Sequence, residues 1–287
     1  MQRVYSVAGL CFSVSGEKLC GAVDAIDGFA PFGAVPCGTT LFSFVEGDGA
    51  PASVAVQYEF MCEGVRMTFG SSPNGYILEM RPATGEPLFL WCEHGGNVVS
   101  LSGNFSVLLL RFALWIGYGI MALPYVAVAV HSSCVVYKNK AVLFLGESGT
   151  GKSTHTRLWC ENIGGASLLN DDSPVLRVVD GRVWAYGTPW SGKTPCYINE
   201  RYEVAACVRL SQAPCNEIKK LSVLQAYAAL HPSCPPEFAY DECLYDEISG
   251  FIGKMLPSVP FYHLCCRPDS EAALLSCRTI FGDEGNS

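Results

Sequence analysis

Residues Gly146 to Ser153, reading GESGTGKS, match the spacing G-x-x-x-x-G-K-[ST] at every position. Glycines at 146, 149 and 151 let successive backbone N–H groups turn inward around an oxyanion, because a residue without a Cβ adopts conformations closed to the others. In this pattern Lys152 reaches the β- and γ-phosphates of a nucleotide and the Ser153 hydroxyl ligates Mg²⁺. Gly146, Glu147, Ser148, Gly149, Thr150, Gly151, Lys152, Ser153 and Thr154 are therefore the candidate nucleotide-binding residues. ATP is the expected nucleotide and Mg²⁺ the expected cofactor; GTP stays open because no base-reading motif is evident.

Binding needs only the cradle, whereas transfer needs a metal site and a group that takes the acceptor's proton. Asn170-Asp171-Asp172 closes an apolar run about twenty residues after Lys152. Neighbouring residues on a strand point to opposite sides, so one carboxylate can hold Mg²⁺ while the other accepts a proton from an attacking hydroxyl. A helix cap or a turn carboxylate pair is the bland alternative. His131 ends the apolar stretch ahead of the phosphate-loop strand and is a candidate catalytic residue, against the commoner role of a satisfied core histidine. Lys193, in the breaker-rich loop from Gly187, can neutralise charge developing on a transferred phosphoryl group; otherwise it is a solvated lysine.

These residues work only if strands and helices hold them. Ala141 to Leu145 reads as a short buried strand, and Lys152 to about residue 162 as a helix stopped by Gly164-Gly165. Strand, glycine loop, helix is the required order. Upstream, a helix is expected from about Phe105 to Met121 and a strand from about Val126, with Lys138-Asn139-Lys140 turning the chain before Ala141. Downstream, strands are expected over Ala166–Leu169, Val175–Val179, Val183–Tyr186 around an Asp180-Gly181 hairpin turn, and Val204–Leu210. Helices are expected over Ser222–Leu230, Asp241–Gly250 and Ser270–Phe281, the last capped by Asp269 or Ser270. Residues 1 to about 100 differ. Short apolar runs such as Val4–Val7, Leu41–Phe44, Val54–Tyr58 and Tyr76–Met80 alternate with turn signals, including Asp48-Gly49-Ala50-Pro51 and Ser72-Pro73-Asn74-Gly75. The expected organisation is a β-rich N-terminal lobe at 1–104 and an α/β nucleotide-binding domain at 105–287.

Composition narrows the partners. Of 287 residues, 49% are hydrophobic and 16% charged, which excludes a largely disordered chain. A formal net charge of −8 with no basic block argues against a nucleic-acid partner. The fifteen cysteines include no C-x-x-C pair, and residues 1–30 lack the features of a signal peptide, so reduced thiols and a cytoplasmic location are expected. Val107 to Val130 is apolar enough to span a bilayer, but Arg111, Gly117, Gly119 and Pro124 divide it, and no membrane partner is expected.

His131-Ser132-Ser133, the loop at 146–154 and Asn170-Asp171-Asp172 occur in the order and approximate spacing shared by HPr kinase/phosphorylases and phosphoenolpyruvate carboxykinases. Over about residues 105–281 the chain resembles HPr-kinase-like proteins, in which GKSTHTRLW, NDDSPV, GTPWSGKTP and V-x-L-S-Q-A-P recur. The resemblance implies a carboxykinase/HPr-kinase-like P-loop fold. It also implies that Gly146 to Thr154 bind phosphates, that Ser153 and Asp172 bind metal, that Asp171 is the acid/base group and that His131 lies beside the transferred phosphate. It further leaves room for a homo-oligomer. Trp184-Ala185-Tyr186-Gly187 stands where the HPr kinase signature has its glutamate and arginine, and nothing before residue 100 resembles a phosphoenolpyruvate site. The expected function is a serine kinase acting on a hydroxyl of a protein, peptide or small molecule, with a catalytically silent nucleotide-binding module as the alternative.

Overall fold

The computed structural model describes residues 1–35, 39–48, 55–192 and 194–282. They form a mixed α/β structure with two sheets, divided into two compact units. One unit comprises Met1–Pro124 with Glu237–Tyr245, the other Tyr125–Pro236 with Asp246–Ser287.

In the first unit β1 (Gln2–Val7), β2 (Leu10–Ser15), α1 (Glu17–Asp24), β3 (Phe42–Glu46), β4 (Ala55–Cys62), β5 (Val65–Ser72), β6 (Gly75–Pro82), β7 (Leu88–Glu93), β8 (Val98–Gly103) and α2 (Val107–Ala122) follow in order. The eight strands make one sheet in the order β1-β2-β3-β8-β7-β6-β5-β4. The expected antiparallel lobe is therefore present, except that β3 pairs parallel with both its neighbours. Ser72 pairs with Gly75, so the Pro73-Asn74 turn is a two-residue hairpin. The expected turn at 48–51 and the strand start at Val54 fall mostly outside the described residues.

Helix α2 belongs with this unit, whereas the expected boundary at 104/105 places it in the second domain. The reason is packing. A Cβ on Gly117 would stand 2.7 Å from the Phe44 ring and 3.1 Å from Leu90, so the glycine lets the helix lie directly on the sheet. Tyr118 donates from its hydroxyl to the Val7 carbonyl at 3.0 Å. Val107–Tyr125 is long and apolar enough to cross a membrane by length and composition, and 67% of its most apolar window is buried.

The second unit contains β9 (Ala127–Ala129), β10 (Ser132–Tyr137), β11 (Lys140–Leu145), α3 (Lys152–Asn162), β12 (Ser167–Asp172), β13 (Val175–Val179), β14 (Arg182–Tyr186), β15 (Arg201–Gln212), β16 (Glu217–Lys220), α4 (Val223–Leu230), α5 (Glu242–Met255), β17 (Phe261–Cys266) and α6 (Ser270–Phe281); the division between the units falls within α5. The sheet runs β12-β10-β11-β15-β14-β13-β9, with β17 joining β15 and β16 joining β17. Strands β11, β15 and β17 are mutually parallel where they pair. Their alternate residues, Val142 and Phe144, Val208 and Leu210, and Leu264, join Val135 and Tyr137 of β10 in a core covered by Trp159 of α3 and Ala273 of α6. That period of two is what lets one face be apolar while the other carries different side chains. Positive φ at Lys138 and Asn139, and again at Asp180 and Gly181, closes the two expected hairpins with the backbone twist that two-residue turns require.

Candidate active site

The glycine-rich loop leaves β11 at Leu145 and enters α3 at Lys152. Gly146 has φ of 151°, and a Cβ there would stand 2.6 Å from Thr150 Oγ1, so both conformation and space require glycine. Gly151, at φ 102°, precedes α3 without any side-chain cap. By contrast Ser222 caps α4 and Asp269 caps α6, as their residue types lead one to expect. The first N–H groups of α3 thus have no side-chain acceptor at the point where the helix dipole favours an anion.

Lys152 is buried, and all three of its ammonium protons are used. Nζ donates to Gly146 O at 2.8 Å, to Glu147 O at 3.2 Å and to His131 Nε2 at 3.0 Å. Because the ammonium can only donate, Nε2 of His131 is the unprotonated nitrogen and Nδ1 carries the hydrogen. Nδ1 faces Asp172 Oδ1 at 3.3 Å. The other Asp172 oxygen accepts from Ser173 Oγ at 3.1 Å. Burial pulls the Lys152 ammonium below its ordinary value, the two aspartates pulling the other way.

Asp171 and Asp172 end β12, which pairs not with β11 but with β10. Ser132 stands opposite Asp172 on one side and Leu145 on the other, so one strand separates the aspartates from the loop. The two carboxylates diverge as adjacent strand residues must. Asp172 is part exposed beside His131, whereas Asp171 is 4% exposed. Ser133, directly across the ladder, donates to Asp171 Oδ1. Asp171 Oδ2 is buried and, among the described residues, has no hydrogen-bond partner.

Asn170 holds this strand end in place. Its Oδ1 accepts from the N–H groups of Asp172 and Ser173 at 3.1 and 2.9 Å, and its Nδ2 reaches Trp190 O at 3.0 Å and Thr188 Oγ1 at 3.2 Å. Gly192 donates from its N–H to Asp171 O at 2.9 Å. The breaker-rich stretch after β14 is thereby pinned along the aspartates.

The structure brings together the loop residues, Lys152, His131, Asp171 and Asp172. Glu147, Ser148, Gly149 and Ser153 are exposed on the rim, with Thr150 and Thr154 partly so. Lys193 lies outside the described residues. Sequence reasoning assigned no role to Ser133 or Asn170, although both lie inside motifs it singled out, and it overlooked Arg209, which reaches Glu147 Oε1 at 3.6 Å. Among the described residues no group of three His, Cys, Asp or Glu side chains forms a metal cage. The oxygen donors Ser153 and Asp172 nonetheless suit Mg²⁺, which usually takes one or two carboxylates and completes its shell with phosphates and water. A shallow pocket on the β13–β14 hairpin, lined by Val179, Asp180, Arg182, Trp184 and Arg201, contains none of the residues marked for chemistry.

No family model and no curated protein matches the chain. Among solved structures it is similar to one described as "Structure of the Hpr(Ser) kinase/phosphatase from Coxiella burnetii", at 12% sequence identity and a TM-score of 0.31, covering 53% of this chain and 93% of that one. A likeness of that size assigns neither a family nor an activity.

Proposed function

We propose that the protein is an ATP- and Mg²⁺-dependent phosphotransferase of the HPr-kinase-like kind, moving a γ-phosphoryl group to a hydroxyl of a protein, peptide or small molecule. The observation that carries this reading is the hydrogen-bonded run from Lys152 Nζ through His131 to Asp172, which joins the phosphate-binding lysine to the paired aspartates. A module that only bound nucleotide would have no use for a buried carboxylate oxygen beside that cradle with no partner among the described residues, and Asp171 Oδ2 is one.

The loop and the free end of α3 bind the phosphates. Ser153 and Asp172 would hold Mg²⁺, which supplies neutralisation of phosphate charge when bound. Asp171 takes the proton of the acceptor hydroxyl as its oxygen bonds to the γ-phosphorus; the bond to the bridging oxygen breaks, and ADP leaves with that electron pair. Ser133 keeps Oδ1 occupied, so Oδ2 is the basic atom. Lys152 exchanges its loop carbonyls for phosphate oxygens, and His131 remains oriented by Asp172. A chain with net charge −8 is suited to an acceptor other than nucleic acid.

The test is calorimetric titration of the chain with ATP and a non-hydrolysable analogue, with and without Mg²⁺, together with release of labelled γ-phosphate. Lys152→Ala should abolish binding. Asp171→Asn should keep binding and lose turnover by ~100-fold or more, the usual contribution of a general base. Absence of nucleotide binding by the unaltered chain would refute the proposal.

A further inference from the structure

Arg209 is a cation beside the phosphate loop that none of the roles above uses. Strands β11 and β15 run parallel with Leu145 opposite Arg209, so this arginine stands next to the residue from which the loop departs. Its neighbours Val208 and Leu210 enter the core under α3 and α6, and Arg209 projects from the other face.

The side chain is 24% exposed, yet its guanidinium is poorly served. It has five N–H donors. Nη2 lies 3.6 Å from Glu147 Oε1, on a carboxylate side chain that is 82% exposed, and Nη1 lies 3.5 Å from the Ala229 carbonyl. An ion pair of that length to an exposed partner contributes little, too little to explain why a mostly buried guanidinium is kept there.

Lys152 locates Arg209 along the nucleotide. The Lys152 Nζ, which the motif assigns to the β- and γ-phosphates, lies on the carbonyls of Gly146 and Glu147. Arg209 reaches the same Glu147. With Leu145 opposite it on β11, Arg209 approaches the cradle at the start of the loop, on the side of Gly146 and Glu147 where the Lys152 ammonium lies, and away from the α3 end.

We propose that Arg209 is a further phosphate-binding residue, its guanidinium taking the outermost phosphate of a nucleoside triphosphate through two oxygens. This rests on the nucleotide-binding reading of the loop. Arginine suits the position because its planar fork meets two phosphate oxygens at once, which an ammonium cannot do. It would also remain beside the phosphoryl group as charge builds on its oxygens during transfer.

The experiment is calorimetric titration of the full chain with ADP and with β,γ-imido-ATP, both with Mg²⁺, for the unaltered protein and for Arg209→Gln, Arg209→Lys and Lys152→Ala. Thermal unfolding checks that each variant folds. Arg209→Gln should weaken the triphosphate analogue by ~10-fold or more and leave ADP within about twofold, since the lost hydrogen bonds are charge-assisted. Arg209→Lys should show the same selectivity to a smaller degree, and it decides the matter if the glutamine variant does not fold. Equal effects on both nucleotides, or no effect on either, would overturn the assignment of Arg209 while leaving nucleotide binding intact, provided Lys152→Ala abolishes it. Failure of the unaltered chain to bind either nucleotide would overturn both readings.

Discussion

The helix that carries Lys152 is pinned by a histidine that cannot be charged without loosening it. His155, one turn into α3, is 3% exposed, lies edge-on to Phe144 at 4.6 Å, and contacts Ser276 Oγ of α6 at 3.2 Å. Ser276 gives its own proton to the carbonyls of Ala272 and Ala273 and accepts from Trp159 Nε1 at 2.9 Å, so in the His155 contact the ring is the donor. Burial pushes His155 from the ordinary 6.5 down to about 4. Between those values the unfolded chain holds a proton that the folded chain refuses. Stability therefore rises with pH across that window and is lost as pH falls through it; above 6.5 the ring is neutral in both states. The slope is ~1.4 kcal/mol per pH unit, and the whole window amounts to ~3 kcal/mol. Urea denaturation of the unaltered protein and of His155→Gln, at about pH 7.5, 6.5, 5.5 and 4.5, isolates this contribution from that of the carboxylates. The stability difference should be constant above about pH 6.5 and then decline by ~1.4 kcal/mol per unit. A difference that stays constant to within ~0.5 kcal/mol down to about pH 4.5 would refute the reasoning.

Two further outcomes concern the support of the aspartates. Asn170→Ala removes every side-chain contact of a residue with no solvent exposure and leaves the N–H groups of Asp172 and Ser173 without their acceptor; urea denaturation should show a loss of ~2–4 kcal/mol, and phosphate release should fall with it. Gly192→Ala places a Cβ 2.6 Å from Asp171 O and 3.3 Å from Asp172 Cβ, where the first neighbour is backbone and cannot yield, so thermal unfolding should report a cost of ~1–3 kcal/mol and turnover should fall more than nucleotide affinity.

The elements legible in advance are those with local causes. The glycine loop, the hairpins at Lys138-Asn139 and Asp180-Gly181 and the Asp269 cap of α6 depend on a few consecutive residues, and they stand where residue type places them. The strands β2, β5, β7, β8, β16 and β17 and the helix α1 are absent from the sequence-based expectations. Several are short, and β16 has no buried residue, so neither apolar run nor alternation marks it. The allegiance of α2 was invisible for another reason: its uniformly apolar sequence shows that it is buried but not against which sheet, and that depends on the match between Gly117 and Phe44.

At the candidate site the same distinction separates chemistry from its supports. Lysine, histidine and the two aspartates announce themselves by type and by order along the chain. Ser133 and Arg209 do not, because each acquires meaning only through a strand register. Ser133 matters because β10 and β12 pair so that it faces Asp171, and a shift of one residue would present Ser132 or Cys134 instead. Arg209 matters because β15 runs parallel to β11 with Leu145 at its side. A residue-type search for phosphate ligands would rank Lys140 and Arg157 equally with Arg209, yet Lys140 pairs with Glu203 and Arg157 with Glu161. What sets Arg209 apart is a mostly buried guanidinium whose partners among the described residues lie 3.5 and 3.6 Å away, placed beside the residue from which the glycine-rich loop departs.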